Sequence, residues 1–573
     1  MAISIATGFL FLEGEKMTCS SLTSTWLKAV ATASLLCASS AALAVNSQVH
    51  LNQGTVIGKV DHSVQSWLGV PYAQAPIGHL RWQIAKPLPS ATTTFQAVKQ
   101  GAICPQMQKD QVVGDEDCLN LNIYRPNTDE TLPVLLYIHG GNNQTGKADE
   151  FNPTQLALAT KSVVVTVNYR LGVLGFNPLK AIKTAEPLQA SGNFGLLDQS
   201  AALDWIKHNI HQFGGDSNNI TVSGFSAGGR DVMAMLISPV FKDKFQHAIV
   251  FSGGMTTAPV KESQTVFAKA FAPLAVEDGR QPDLAAAEKW LKQGDSEVKA
   301  YLQSLSPTRL AKLMQNAGIR MSVFPHLYTD GTVLPSQGFD KATYNQVPTM
   351  MLTGANEFSF FALGDPEFAA TDWNNQPHKA IEYDFVFRYG GLLYSAFNVE
   401  ESVDTMLKAK FSAPIYAGKI NYGSAPIITG PAMTRIGSFH GVFIPLLDSS
   451  VNMPMFGNAF KTEGAQQLAH DLETHIAAFI RQGKPSNAID VEWKPWNKTT
   501  ATNGESLYVF DANTKNSVLY RTDQAYQTKD IIELMDQDYR LSEEDKSKLI
   551  HSVLNGRWFS QQLDEHYHSP SLW

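Results

Sequence analysis

Apolar residues fall into two patterns along this chain. Residues 132–138 (Leu-Pro-Val-Leu-Leu-Tyr-Ile) and 162–167 (Ser-Val-Val-Val-Thr-Val) are nearly continuous apolar runs, as expected of strands buried on both faces of a parallel sheet. Residues 198–213 instead set Ala201, Ala202, Trp205, Ile206 and Ile210 along one side of a helix. A β-branched run over 220–225, a helix over 230–238 ended by Pro239, and a strand over 247–252 continue the alternation. Strand alternating with helix predicts an α/β architecture, a large mostly parallel central sheet flanked by helices. Residues 45–82, punctuated by Gly54, Gly58, Gly69 and Pro71, read as short antiparallel strands. Residues 261–318 are rich in Ala, Leu, Lys and Gln at helical spacing and predict a helical insertion. Strands over 347–352 and 415–422 and a helix over 464–483 follow. From about residue 528 a C-terminal helical extension is expected, with Ser542 and Asp545 at an N-terminus. Its stripe of Leu549, Ile550, Val553 and Leu554 is closed by Asn555-Gly556.

Composition narrows the classes. At 573 residues, 44% hydrophobic and 17% charged, the chain can bury a large core. A formal net charge of -8 gives no footprint for nucleic acid. Lys28 precedes an apolar small-residue run, and Ala42-Leu43-Ala44 has the form of a signal peptidase site. Residues 1–44 are therefore expected to be a signal peptide cleaved after Ala44, with Met17 an alternative start because Glu13 and Glu15 suit a leader poorly. A secreted or periplasmic location follows, with residues 45–573 as a single catalytic domain. No other stretch is long and apolar enough for a membrane span. Cys19 and Cys37 leave with the leader, so the even pair Cys104 and Cys118 reads as a disulfide in an oxidising compartment. Two thiols without a histidine cluster make a poor metal site. The sequence specifies no oligomeric state.

The chemistry centres on Gly224-Phe225-Ser226-Ala227-Gly228. Strand, Gly-x-Ser-x-Gly and helix in that order form a nucleophile elbow, which holds a serine exposed on a strained turn. A serine hydroxyl needs a base, and the base needs an orienting acid. His440, in Gly437-Ser438-Phe439-His440-Gly441, is the candidate base. Glu357, in Gly354-Ala355-Asn356-Glu357, is the candidate acid, with Asp330 of Asp330-Gly331 as the alternative. The oxyanion donors would be the N–H of Ala227 and those of the His139-Gly140-Gly141-Asn142 stretch. Gly141 to Lys147 also matches a phosphate-binding loop, but Ala148 stands where that motif needs Ser or Thr.

In combination these residues resemble the type-B carboxylesterase family, which includes cholinesterases and bacterial para-nitrobenzyl esterases. Further motifs carry the resemblance: Glu116-Asp117-Cys118-Leu119-Asn120-Leu121-Asn122, Asn168-Tyr169-Arg170, Gly192 to Gln199, and Phe213-Gly214-Gly215-Asp216. It implies an α/β-hydrolase fold with the helical insertion beside the site and a Ser226-Glu357-His440 triad. It also implies oxyanion donors at Gly141, Asn142 and Ala227, a Cys104–Cys118 disulfide, and no cofactor or metal.

The chain departs from that pattern in five places. Phe225 and Phe443 stand where the family usually has Glu, Arg230 where a small residue is usual, and Asn142 where a third glycine is usual. The acid segment is about two residues short. With Phe225 neutral and no Trp between Cys104 and Cys118, a choline ester loses the groups that would hold its cation. The expected substrate is a small uncharged, possibly aromatic, carboxylic ester. Phe225 either lines the substrate pocket or packs beneath the sheet. Amidase, thioesterase or lactonase chemistry on the same triad, and a non-catalytic adhesion protein on the same fold, are the competing functions.

Overall fold

The computed structural model describes residues 47–61, 63–314, 323–373, 375–424, 435–451, 453–496, 507–570 and 572. The expected leader, with Cys19 and Cys37, lies outside the described residues. Eleven strands form the main sheet: β1 Lys59–Asp61, β2 Val64–Pro71, β3 Asn120–Pro126, β4 Leu132–Ile138, β5 Val163–Val167, β6 Gly215–Phe225, β7 His247–Phe251, β8 Thr349–Gly354, β9 Ile415–Ile420, β10 Leu507–Ala512 and β11 Ser517–Thr522. Their order is β11-β10-β9-β8-β7-β6-β4-β5-β3-β2-β1. From β10 to β5 all neighbours are parallel, and the strands at either end are antiparallel. This is the α/β-hydrolase arrangement. The continuous apolar runs at β4 and β5 are buried throughout except Pro133, because helices cover both faces.

Among the helices are α1 Phe194–Asn209, α2 Ala227–Ile237, α3 Val260–Glu277, α4 Leu284–Leu291, α5 Ser296–Ser304, α6 Pro307–Lys312, α7 Pro377–Asn398, α8 Glu463–Gln482, α9 Thr528–Asp536, α10 Glu543–Leu549 and α11 Gln561–His566. Local chemistry sets their ends. Thr462 accepts from the Ala465 N–H and Gly483 closes α8 in the left-handed region; Asp283, Asp295 and Ser306 cap α4, α5 and α6 in the same way. Ser542 caps α10, and Leu549, Ile550, Val553 and Leu554 are all buried.

The family motifs prove to be buried polar joints. Arg170 grips Asp198 through Nε at 2.8 Å and Nη2 at 2.6 Å with both side chains buried, tying the end of β5 to α1. Arg81 holds Glu116 at 2.6 Å and donates to the Gln303 and Leu305 carbonyls, fastening the N-terminal strands to the helical insertion. Cys104 and Cys118 are joined by a disulfide.

Candidate active site

Ser226 stands at the turn between β6 and α2 with φ 55° and ψ -115°, a conformation that costs a non-glycine residue of order 1–3 kcal/mol. The neighbours allow it. A Cβ on Gly224 would lie 2.3 Å from the Gly228 carbonyl oxygen, and one on Gly228 would lie 2.1 Å from that of Ile138, so both glycines are required. The helix begins at Ala227, three residues before the apolar pattern predicts, because Gly228 and Gly229 fit close against neighbouring backbone. Ser226 is fixed by its N–H to the Phe251 carbonyl and by the Arg230 N–H to its own carbonyl, each at 2.9 Å. It is partly exposed between buried neighbours.

Beyond β8, Glu357 is fully buried. Its Oε1 accepts from Ser252 Oγ at 2.5 Å, Thr353 Oγ1 at 2.8 Å and the Gly354 N–H at 2.6 Å. Its Oε2 pairs with His440 Nδ1. Burial alone would raise this carboxyl, but the charge and hydrogen bond of His440, with those of Ser252 and Gly354, hold it below the ordinary range. The structure thus brings Glu357, not Asp330, to His440. Asp330 spends its oxygens on Asn193 Nδ2 and on the N–H groups of Thr332, Val333 and Leu334, as an Asp-Gly turn does. With Nδ1 committed to the acid, His440 Nε2 is buried and makes no hydrogen bond among the described residues.

The stretch after β4 turns sharply: Gly141, Asn142 and Asn143 all have positive φ, at 96°, 56° and 57°. Asn143 is held from both ends. Tyr169 Oη donates to its Oδ1 at 2.8 Å, and its Nδ2 donates to Asp231, which also receives Gln199 Nε2 at 2.6 Å. Burial pushes the Asp231 carboxyl up to about 6, against the hydrogen bonds from Asn143 and Gln199. The Gly140 N–H turns toward Glu150, 3.4 Å away. The N–H groups of Gly141 and Ala227 have no acceptor among the described residues. His139 stacks on Tyr169 at 4.6 Å and bonds the Gly140 carbonyl through Nδ1, and burial lowers its pKa to about 4, so it is neutral.

Aromatic rings enclose His440: Phe225 at 4.7 Å, Phe361 at 5.3 Å and Tyr394 at 5.3 Å. Phe225 is 7% exposed and touches Phe443 edge-on at 5.0 Å, and Phe443 stacks on Phe251 at 4.3 Å. The two positions that depart from the family's acids therefore meet, and an apolar contact replaces them. Tyr394, Trp558 and Phe559 escaped the sequence reading. Phe559 stacks on Tyr394 at 4.7 Å, so the C-terminal extension forms the wall behind the ring that covers His440. Only the departure at Arg230, whose guanidinium lies 4.3 Å over Trp558, hinted at a partner there. Among the described residues one group could gather metal-ligand atoms, His378, Glu382 and Asp545. It sits near the start of α7, roughly 24 Å from Tyr394 along that helix at 1.5 Å per residue, and Lys379 already pairs with Glu382.

Known proteins resemble this arrangement. The model of the carboxylesterase family matches residues 45–387. A para-nitrobenzyl esterase of Bacillus subtilis is 28% identical over 78% of this chain and 92% of its own length. A fumonisin B1 esterase of Sphingopyxis macrogoltabida is 31% identical over 78% of this chain and 83% of its own. Among solved structures, a PNB esterase superposes with TM-score 0.63 at 23% identity, covering 84% of this chain and 99% of that one. A carboxylesterase of Geobacillus stearothermophilus superposes with TM-score 0.62 at 23% identity, covering 83% and 98%.

Proposed function

Since the chain belongs to the carboxylesterase family and is a carboxylic ester hydrolase, we propose that Ser226 is its nucleophile, His440 its base and Glu357 the acid that orients the base. The observation that carries this reading is the pairing at His440: Nδ1 is engaged by a buried carboxylate while Nε2 is left without a partner on the same ring. An imidazole in that tautomer has its lone pair on Nε2 and can take the serine proton as Oγ attacks the ester carbonyl. The N–H groups of Gly141, Asn142 and Ala227 would receive the oxyanion, and the dipole of α2 would add to them. Collapse expels the alcohol, protonated by His440. Water activated by the same nitrogen then frees the acid from the acyl-enzyme.

The group of the ester that faces Phe225, Phe361 and Tyr394 is uncharged and can be aromatic, since these rings offer apolar surface on which an aromatic group stacks. Residues 1–44 act as a signal peptide, and the Cys104–Cys118 disulfide accords with secretion or a periplasmic site.

The test is hydrolysis of nitrophenyl esters of graded acyl size by the purified chain and by Ser226→Ala. The variant is expected to lose about 10⁶-fold in kcat and to resist a serine-directed phosphonate. Equal turnover by both proteins would overturn the mechanism. Failure of the intact chain to hydrolyse any ester or react with the phosphonate would favour a binding protein on this fold.

A further inference from the structure

Arg230 lies one helical turn beyond Ser226 and is 1% exposed, among the largest fully buried side chains. Its Nη2 donates to Asn142 Oδ1 at 2.7 Å, and its guanidinium lies 4.3 Å over the Trp558 ring. Among the described residues its Nε and Nη1 have no hydrogen-bond partner. The acids nearby are already engaged. Asp231 is held by Asn143 and Gln199, and Glu357 by His440, Ser252, Thr353 and Gly354. His326, which Arg230 helps keep far below its ordinary pKa along with burial, is neutral and offers no compensating charge.

An arginine buried in this way is expensive. Each unsatisfied buried N–H leaves the desolvation of a polar group uncompensated, and a buried cation without an ion-pair partner costs more. Arginine cannot shed the charge to escape, because its guanidinium stays protonated in proteins. A structural cation would be expected to find its acid within the fold, as Arg170 and Arg81 do here. Arg230 finds an amide oxygen and an aromatic face, and keeps donors on two edges of its fork unspent. Nη2, the donor that is spent, anchors the guanidinium to Asn142, the residue that turns the oxyanion loop.

From this geometry we propose that Arg230 binds a carboxylate carried by the substrate's own acyl part, so that the preferred substrates are half-esters of di- or polycarboxylic acids. The assignment rests on ester hydrolysis at Ser226. With the scissile carbonyl oxygen against the N–H groups of Gly141 and Ala227, an acyl chain of a few carbons would carry its second carboxylate past Asn142 to the guanidinium. Charge-assisted bonds there fix the acyl group, while the uncharged alcohol part faces the rings around His440. Cationic esters are disfavoured by the same charge.

The test compares mono-4-nitrophenyl succinate with its methyl-capped diester, which has nearly the same shape and no charge. The wild-type kcat/KM is expected to favour the half-ester at least tenfold. In Arg230→Gln that ratio is expected to fall to one or below, and Arg230→Lys, which restores a cation without the planar fork, to recover part of it. Free succinate should inhibit wild-type hydrolysis of the capped ester competitively, and dimethyl succinate at the same concentration should not. These wild-type measurements stand even if the variants fail to fold. A wild-type ratio near one, absence of succinate inhibition, or an unchanged ratio in Arg230→Gln would each overturn the assignment while leaving Ser226 as nucleophile. Hydrolysis of both esters by Ser226→Ala would overturn the underlying reading instead.

Discussion

Glu357 is fully buried and Glu150 half-buried beside the site, and their surroundings drive them in opposite directions. Glu357 stays low because His440, Ser252 and Gly354 overcome its burial. Glu357→Gln keeps the shape but loses the charge that orients the imidazolium, and kcat is expected to fall about 10⁴-fold, whereas Asp330→Asn should leave kcat within a few-fold. Steady-state kinetics of the two variants decides which acid serves His440. Burial pushes Glu150 from its ordinary 4.5 up to about 7, despite hydrogen bonds from Tyr137 and Gly140. The folded chain therefore keeps a proton that the unfolded chain gives up between about pH 4.5 and 7, and this group's contribution declines as pH rises through that window. Glu150→Gln is expected to remove a pH-dependent loss of about 3 kcal/mol, read as the difference between the two proteins' denaturation midpoints from pH 4 to 8. Ser226, His440 and Glu357 stood out as candidates in the sequence because each sits in a local motif. That Phe225 meets Phe443 was not, because each substitution is seen alone along the chain and contact depends on how the chain segments after β6 and β9 close. Each separately reads as the loss of an acid, while together they make one apolar contact.

Among the elements, β4, β5, β6, β7 and α1 were visible as apolar runs or stripes, whereas α7 and the β10–β11 hairpin were not. Helix α7 buries Tyr383, Phe385, Val386, Tyr389, Leu393 and Tyr394 together with Glu382 and Asn398. Elements wrap it on more than one side, so no single stripe marks it. Strand β10 is buried along nearly its whole length and lacks the alternation that identifies an edge hairpin. The stripe on the C-terminal extension was plain, but its docking surface was not, because α7 supplies that surface. Tyr389 Oη donates to Asp538 at 3.0 Å, and the ring of Phe559 meets Phe358 at 5.6 Å. Trp558→Ala is expected to cost about 3–5 kcal/mol in cavity and lost transfer energy, with up to about 2 kcal/mol more from the cation over the ring. It should also lower kcat/KM, since the ring holds Arg230 and Arg230 holds Asn142. Denaturation and kinetics on one preparation separate the two effects.

Across the whole molecule, distant segments are joined by buried polar links that the family motifs encode. The motifs were readable, but their partners were not, because Arg81 reaches the carbonyls of Gln303 and Leu305 only once the insertion has folded back onto the N-terminal strands. The disulfide closes a separation of 14 residues, and Cys104→Ser/Cys118→Ser is expected to lose about 3 kcal/mol, measured as a shift in denaturant midpoint without change in the active-site kinetics. The placement of Trp558 and Phe559 has a further consequence, for the order in which the protein is made. A chain emerges from the ribosome N-terminus first, so the elbow, the oxyanion loop and His440 are all synthesised before the two rings that back Tyr394 and seat Arg230. Until Trp558 and Phe559 have been made, the Tyr394 ring over His440 lacks its backing and Arg230 its aromatic seat.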